Sequence, residues 1–448
     1  MKSVDAMKSL PGLAPEDLVF VGICDLAAQV RGKSVPACDF TDRVLHGVGY
    51  TPANLCLSVF GTIGSTPFGT TGDIVLMPDA STEVCIPIED GAPEHFCLAD
   101  IFTKDGDPWP YCPRSFLRRA LQRLEKTAGC HILASFEQEF VYSGVPQEPK
   151  RAYALTSFRE QGNFGARLIA ALRAAGMTPE SFLPEYGPGQ YEVTVSPAIG
   201  MRAADEAVIL RELARSLAAR AGHRAIFSPI LTPEGTGNGT HIHLSLRDQA
   251  GSAVMHEAGR PYGLSVTGEQ FTAGILQQMP ALAAITTPVA CSYYRLMPDR
   301  WAPTWANISL QDRSAGLRIC PGFASASNGP ASAFNVEYRV ADASANPYLA
   351  LGALVHAGVD GIEKRLSLPV QPDVAFAAMT AEERRSTGMQ PLPRTLAEAL
   401  DNLCATPAAR EWFGPEFLDL YLNFKREEEQ AVAGLYPQTI CDRYAAVF

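Results

Sequence analysis

The 448-residue chain predicts an α+β fold with a largely antiparallel sheet. Three observations carry that prediction. Apolar stretches rich in β-branched and aromatic residues, such as LVFVGICDL (18–26) and ILASFEQEFVY (132–142), read as strands. Two long segments, ADEAVILRELARSLAARAG (204–222) and NPYLALGALVHAGVDGIEK (346–364), read as helices, the first strongly amphipathic. The Pro-rich stretch DGDPWPYCPRS (105–115) then separates a small β-rich unit, residues 1–108, from a larger unit, residues 109–448.

The elements follow in order. Residues 1–16 form a loose leader with Pro11 and Pro15. LVFVGICDL takes AQVRGKSVP (28–36) as its hairpin partner, and CDFTDRVLHG (38–47) is a short helix with Asp39 or Thr41 near its start. GDIVLMPD (72–79) and HFCLADIF (95–102) are further strands, and SFLRRALQRLEK (115–126) opens the larger unit as a helix. NGTHIHLSL (238–246) and FNVEYRV (334–340) return to strand, and Asn346 with Pro347 starts the second long helix.

Composition narrows the function. Lys and Arg number 37 against 48 Asp and Glu, a net charge of −11, which disfavours a nucleic-acid or anionic-membrane surface. A hydrophobic content of 47% with 19% charged residues suits a folded protein and not a disordered one. No run approaches the roughly 20 apolar residues of a membrane span, and the amino terminus lacks a signal-peptide core. A cytoplasmic location is expected. Eleven cysteines without a CxxC pair read as reduced, mostly buried thiols, and argue against a thiolate zinc site.

Four constellations carry chemistry. Glu137 and Glu139 in SFEQEF lie two apart on a strand and share a face, which is costly in apolar surroundings unless a cation neutralises them. Glu185 and Glu192 flank a Gly-Pro-Gly turn in PEYGPGQYEV (184–193), which lets residues seven apart converge. His241 and His243 share a strand face with Ser245, and Glu337 shares one with Arg339. Taken singly, each has a plain alternative: a solvated edge strand, acids beside a turn, a core histidine, a surface ion pair. Together they supply five carboxylates and a metal-competent imidazole, a donor set for Mg²⁺ or Mn²⁺ rather than zinc. Arg295, Arg313, Arg318 and Arg339 add anion-binding capacity. Carboxylates with arginines imply two metals clamping a nucleotide polyphosphate for phosphoryl transfer, and the absence of a P-loop excludes a Walker-type site.

In these motifs the chain resembles the glutamine synthetase family. FEQEF, EYGPGQYEV, GNGTHIHLSL, YYRLMP, DRSAGLRI and VEYRVADASANPYLA occur in the family's order and spacing, and GDIVLMPD matches its amino-terminal domain. The resemblance implies a small β-grasp domain and a large catalytic domain with a curved antiparallel sheet flanked by helices. It implies an active site between neighbouring subunits of hexameric rings, with a dodecamer favoured. One metal would be held by Glu139, Glu185 and Glu192, the second by Glu137, His241 and Glu337. His243 and Ser245 would line the ATP pocket, Gly237 and Arg295 would hold glutamate, and Arg313, Arg318 and Arg339 would serve the phosphates and the transition state. The implied reaction uses ATP and two or more Mg²⁺ or Mn²⁺ ions to phosphorylate the glutamate γ-carboxylate, after which an amine displaces phosphate to leave an amide.

Departures from the family pattern concern the amine. Ammonia-using members carry a Glu in the loop after the RL-P element, where RLMPDRWAP (295–303) places Trp301. Their amino-terminal Asp-Gly-Ser-Ser loop is replaced by GVGYTPAN (47–54), which contains no acid. Asn335 replaces a phosphate-side Arg, and the adenylylation-loop Tyr has no counterpart. Exchanging a carboxylate for an indole removes a base and adds an apolar wall. The expected substrate is therefore a primary amine other than ammonia, hydrophobic or aromatic, with Trp301 in the amine site and Trp305 and Tyr50 as further aromatic candidates. A role in amine catabolism follows. The alternatives are an ordinary glutamine synthetase using ammonium and a non-catalytic ring-forming relative.

Overall fold

The structure, a computed structural model, describes residues 14–88, 91–148, 152–298, 300–322, 329–370 and 376–448; the opening of the leader, residues 1–13, lies outside them. Alternating buried residues define six strands in the amino-terminal domain: β1 (Leu18–Cys24), β2 (Val30–Pro36), β3 (Val48–Tyr50), β4 (Ile74–Pro78), β5 (Val84–Ile86) and β6 (Glu94–Thr103). They are ordered β2-β1-β6-β4-β3, with β5 on β6. The central pair, β1 and β6, runs parallel and its neighbours antiparallel, the arrangement of a β-grasp sheet. The helix Phe40–His46 follows a single 3-10 turn, and Asp39 precedes it without a side-chain capping bond.

The larger domain is built on a curved nine-stranded sheet. Its strands are β7 (Cys130–Tyr142), β8 (Pro179–Pro184), β9 (Gln190–Val195), β10 (Ala198–Ile199), β11 (Ala225–Ile226), β12 (Thr240–Asp248), and, after the separate short strand β13 (Trp305–Ala306), β14 (Ile308–Leu310), β15 (Leu317–Cys320) and β16 (Asn335–Tyr338). The order is β14-β15-β16-β12-β7-β9-β8, and every pairing but β14 with β15 is antiparallel. Helices cover the sheet. Asn346 caps Pro347–Glu363 by accepting from the amides of Tyr348 and Leu349. That helix crosses Val266–Thr286 so closely that a Cβ on Gly274 would lie 2.1 Å from the Ala357 carbonyl oxygen.

The helix Met201–Arg220 departs from expectation. It is buried on all sides from Ala203 to Arg211, including Asp205, Glu206 and Arg211. Its charged side is covered because it joins the two domains. Arg211 donates to the carbonyls of Ala28 and Ala343, each at 2.7 Å. Asp205 accepts from Arg114 at 3.1 Å and from the Tyr348 hydroxyl at 2.6 Å. Arg114 also reaches Asp79 at 3.0 Å, in the amino-terminal domain.

All eleven cysteines are free thiols, seven of them buried. Among the described residues no helix is long and apolar enough to cross a membrane.

Arg114 is buried among Asp79, Asp100 and Asp205, so removing its charge strands carboxylates. Arg114→Ala is expected to cost about 3–5 kcal/mol in urea unfolding, while a loss below about 1 kcal/mol would show that the cluster does not hold the domains together.

Candidate active site

Strand register assembles the site. Antiparallel partners directly opposite each other project from one face. On β7, Glu137 faces His241 of β12 and Glu139 faces Glu192 of β9. On the other side of β12, His243 faces Glu337 of β16, which in turn faces Arg318 of β15. Five strands thus put their acids, imidazoles and a guanidinium on a single face. Glu185 joins from the end of β8, where its amide donates to the Gln190 carbonyl at 2.9 Å across the Gly-Pro-Gly turn.

The side chains form two overlapping donor groups. His241 Nδ1 lies 3.2 Å from Glu137 Oε2 and 3.5 Å from Glu337 Oε1. His243 Nε2 lies 3.1 Å from Glu137 Oε1. Donor atoms of Glu137, Glu192 and His241 fall within 4.8 Å of one another, as do those of Glu137, His243 and Glu337. Glu137 therefore stands in both groups, and His243 stands among the carboxylates as well as beside the cavity described below. The oxygen-rich donor set fits hard divalent ions.

The electrostatics also fit cations. Burial raises the Glu139 carboxyl to about 7, against the opposing hydrogen bond from the Gly239 amide. Burial, with Glu137, Glu139, Glu185 and Glu337 around it, raises Glu192 to about 9. Glu185 is pushed up by burial too, although it accepts from Tyr153. Burial acts the same way on Glu137 and Glu337, but is outweighed. Hydrogen bonds from His241 and His243 hold Glu137 well below its usual range, and the two imidazoles with Arg339 and Arg318 bring Glu337 to about 2. Arg295 and Arg339 near Glu139, and Arg313 near Glu185, offset only part of the upward shifts, and divalent ions would supply the remaining charge.

The arginines divide into three settings. Arg318 and Arg339 both donate to Glu337, and Arg339 Nε also donates to the Arg313 carbonyl at 2.7 Å. The Arg313 side chain is exposed, and its charge reaches Glu185. Arg295 is buried. It donates to the carbonyls of Val340 and Ala341, and its Nε has no partner. Gly237 permits that placement, since a Cβ there would lie 2.3 Å from Arg295 Cγ.

A cavity of about 290 Å³ opens beside Glu137, lined by Ser135, Glu180, Thr194, His243, Ser245 and Asn335. Asn335 accepts from His243 Nδ1 at 2.8 Å and fixes that ring's orientation. A larger cavity of about 380 Å³, lined in part by Tyr262, Leu276 and Asn307, shares none of these residues.

Trp301 lies at the other end of the face, in a loop pinned by Arg300, which donates to the carbonyls of Pro233 at 2.6 Å and Tyr294 at 2.8 Å. Its ring meets Tyr186 at 5.4 Å, Tyr186 meets Tyr153 at 5.6 Å, and the Tyr153 hydroxyl donates to Glu185 at 2.7 Å. The other aromatic candidates do not join this group. Trp305 is buried on β13 beneath Arg384 and Arg385, and Tyr50 is buried in the amino-terminal domain. Sequence reasoning passed over Tyr153, Tyr186 and Gln190. Gln190 donates to Glu139, the Gly237 carbonyl and Asn238, tying β9 to the glycine loop. Tyr186 and Gln190 stand inside the EYGPGQYEV motif, between its two acids. Tyr153 stands outside every motif.

The raised carboxyls set a pH dependence. Glu139 and Glu192 hold protons below about 7 and 9 when no cation is bound, and a divalent ion must displace them. Mn²⁺ affinity measured by calorimetry is expected to rise at least tenfold from about pH 6.5 to about pH 8.5, with proton release detected by buffers of different ionisation enthalpy. A flat profile would mean that these carboxyls do not bind the ion.

Residues 11–109 match the family described as glutamine synthetase N-terminal domain, and residues 110–444 match glutamine synthetase, catalytic domain. The gamma-glutamylpolyamine synthetase GlnA3 of Streptomyces coelicolor is 32% identical over 438 residues, covering 95% of this chain and 92% of its own. The glutamine synthetase of Thermus thermophilus is 32% identical over 459 residues, covering 99% of each. Among solved structures, one described as a novel glutamine synthase homolog superposes with a TM-score of 0.89 at 39% identity, covering 97% of this chain and 99% of its own. GmaS in complex with ADP superposes at 0.79 with 25% identity, covering 92% and 93%. Sequence, fold and site geometry agree, and the chain belongs to the glutamine synthetase family.

Proposed function

We propose that the protein is an ATP-dependent ligase that joins the γ-carboxylate of glutamate to a primary amine other than ammonia, with a hydrophobic or aromatic substituent preferred. The observation that carries this reading is the aromatic group Trp301–Tyr186–Tyr153 beside Glu185, with Trp301 at the position where ammonia-using relatives place a carboxylate. Ammonium is a cation that must be held by negative charge and lose a proton before it attacks. An indole offers no base and an apolar surface. An arylamine is already neutral near neutral pH and needs neither. The 32% identity to the Thermus glutamine synthetase equals that to the polyamine synthetase, so identity does not choose between amines.

In this reading the terminal phosphoryl group of ATP passes to a γ-carboxylate oxygen and ADP leaves. The amine lone pair then attacks the γ-carbonyl carbon, phosphate departs, and the nitrogen loses a proton. Glu139, Glu185 and Glu192 would hold one divalent ion and Glu137, His241 and Glu337 another, with His243 close to the second. Mg²⁺ or Mn²⁺ there supplies charge neutralisation and Lewis acidity. His243 and Ser245 face the nucleotide in the cavity beside Glu137. Arg295, beside Gly237, receives the glutamate carboxylate on its unpaired Nε side. Arg313, Arg318 and Arg339 stabilise charge on the transferring phosphoryl group. The assembly proposed with this activity is a ring of six subunits, stacked in pairs, with sites between neighbours.

The test is ADP release with glutamate, ATP and Mg²⁺ or Mn²⁺, comparing ammonium with aniline, isopropylamine, ethanolamine and putrescine and weighing the products. An organic amine should stimulate release and yield its γ-glutamyl amide. Stimulation by ammonium alone would make the protein a glutamine synthetase, and silence with every amine would favour a non-catalytic relative. Glu139→Ala should lower turnover by about 100-fold or more, and near-normal activity would remove it from the metal site. Trp301→Glu should shift preference toward ammonium, and unchanged selectivity would show that Trp301 does not face the amine.

A further inference from the structure

Trp301, Tyr186 and Tyr153 are exposed by 61%, 50% and 57%, an unusual concentration of open aromatic surface in a chain that buries most of its large rings. Their contacts give the patch a direction. The Tyr153 hydroxyl is hydrogen-bonded to Glu185 at the edge of the acidic face; Tyr186 packs edge-on against Tyr153 at 5.6 Å; Trp301 packs on Tyr186 at 5.4 Å with the rings 58° apart. These spacings leave no slot between rings. They form a continuous wall running outward from the carboxylates. Tyr153 and Trp301 both hold left-handed backbone, φ 58° and 53°, which orients the wall's two ends at a conformational cost.

We infer that Tyr186 is a specificity-determining residue, forming the middle of a wall along which the apolar substituent of the amine lies. The inference rests on the ligase reading above and extends it from Trp301 to the surface between Trp301 and the acids. An amine whose nitrogen sits at the acidic end meets Tyr186 with the first carbons of its substituent and Trp301 with the rest. Small amines gain little from such a wall. Substituents about the size of a ring gain most, because they cover two aromatic faces at once. The occupant is identified by continuity with the acidic centre, to which the wall is hydrogen-bonded through Tyr153. A covering surface from a second copy of the chain is the competing occupant.

The experiment measures kcat/KM for benzylamine, butylamine and methylamine in the wild type, Tyr186→Ala, Tyr186→Phe and Trp301→Ala, with the assembly size of each followed by light scattering. The wild type should favour benzylamine over methylamine. Tyr186→Ala should lower that ratio about tenfold, as loss of one aromatic face does, whereas Tyr186→Phe, which keeps the ring, should retain it. An unchanged ratio in an assembled, active Tyr186→Ala variant would overturn the assignment. So would a variant whose rings dissociate while its residual ratio stays at the wild-type value, since the wall would then be a subunit contact. A wild type that uses ammonium alone, or no amine, would overturn the ligase reading first and this inference with it.

Discussion

Strand β7 carries Glu137 and Glu139 between two partners, and its register decides the rest of the site. Against β12 it sets Glu137 opposite His241, and against β9 it sets Glu139 opposite Glu192. A slip of one residue on either side would turn each of these groups to the opposite face of the sheet. The register is held by apolar neighbours that point the other way, Phe136, Phe140, Ile242 and Val193, all buried in the core. Gln190 adds a polar tie across the same strands. The hydrophobic pattern and the metal-competent face are thus two consequences of a single alignment.

That alignment concentrates negative charge where water is scarce. Burial lifts Glu139 and Glu192 toward neutral or basic values, while imidazoles and arginines hold Glu137 and Glu337 ionised. One side of the face is compensated by protein, and the other only in part. A core built this way is poorly optimised as an empty structure, which is the expected signature of a site whose stability includes its ions.

Much of this was legible in the sequence. Period-two spacing put Glu137 with Glu139 and His241 with His243 on common faces, and the turn in EYGPGQYEV brought Glu185 to Glu192. Family resemblance supplied the order in which these motifs meet, which spacing alone does not contain. What was hidden depended on contacts between distant segments. The helix Met201–Arg220 has the sequence of an amphipathic surface helix, yet its Asp205 and Arg211 meet Arg114, Tyr348 and two backbone carbonyls at a domain junction. Tyr153 was invisible because its partner, Glu185, lies 32 residues away. Tyr186 was overlooked because an aromatic beside a turn has no chemistry until Trp301 is placed against it.

The proposed chemistry requires that one sheet face bind two divalent ions, one at Glu139, Glu185 and Glu192 and the other at Glu137, His241 and Glu337. Anomalous diffraction from crystals grown with MnCl₂ tests it directly. Two manganese peaks are expected, one contacting Glu139, Glu185 or Glu192 and the other contacting Glu137, His241 or Glu337. A map with no peak on this face, or with manganese bound only at acids elsewhere on the surface, would contradict it.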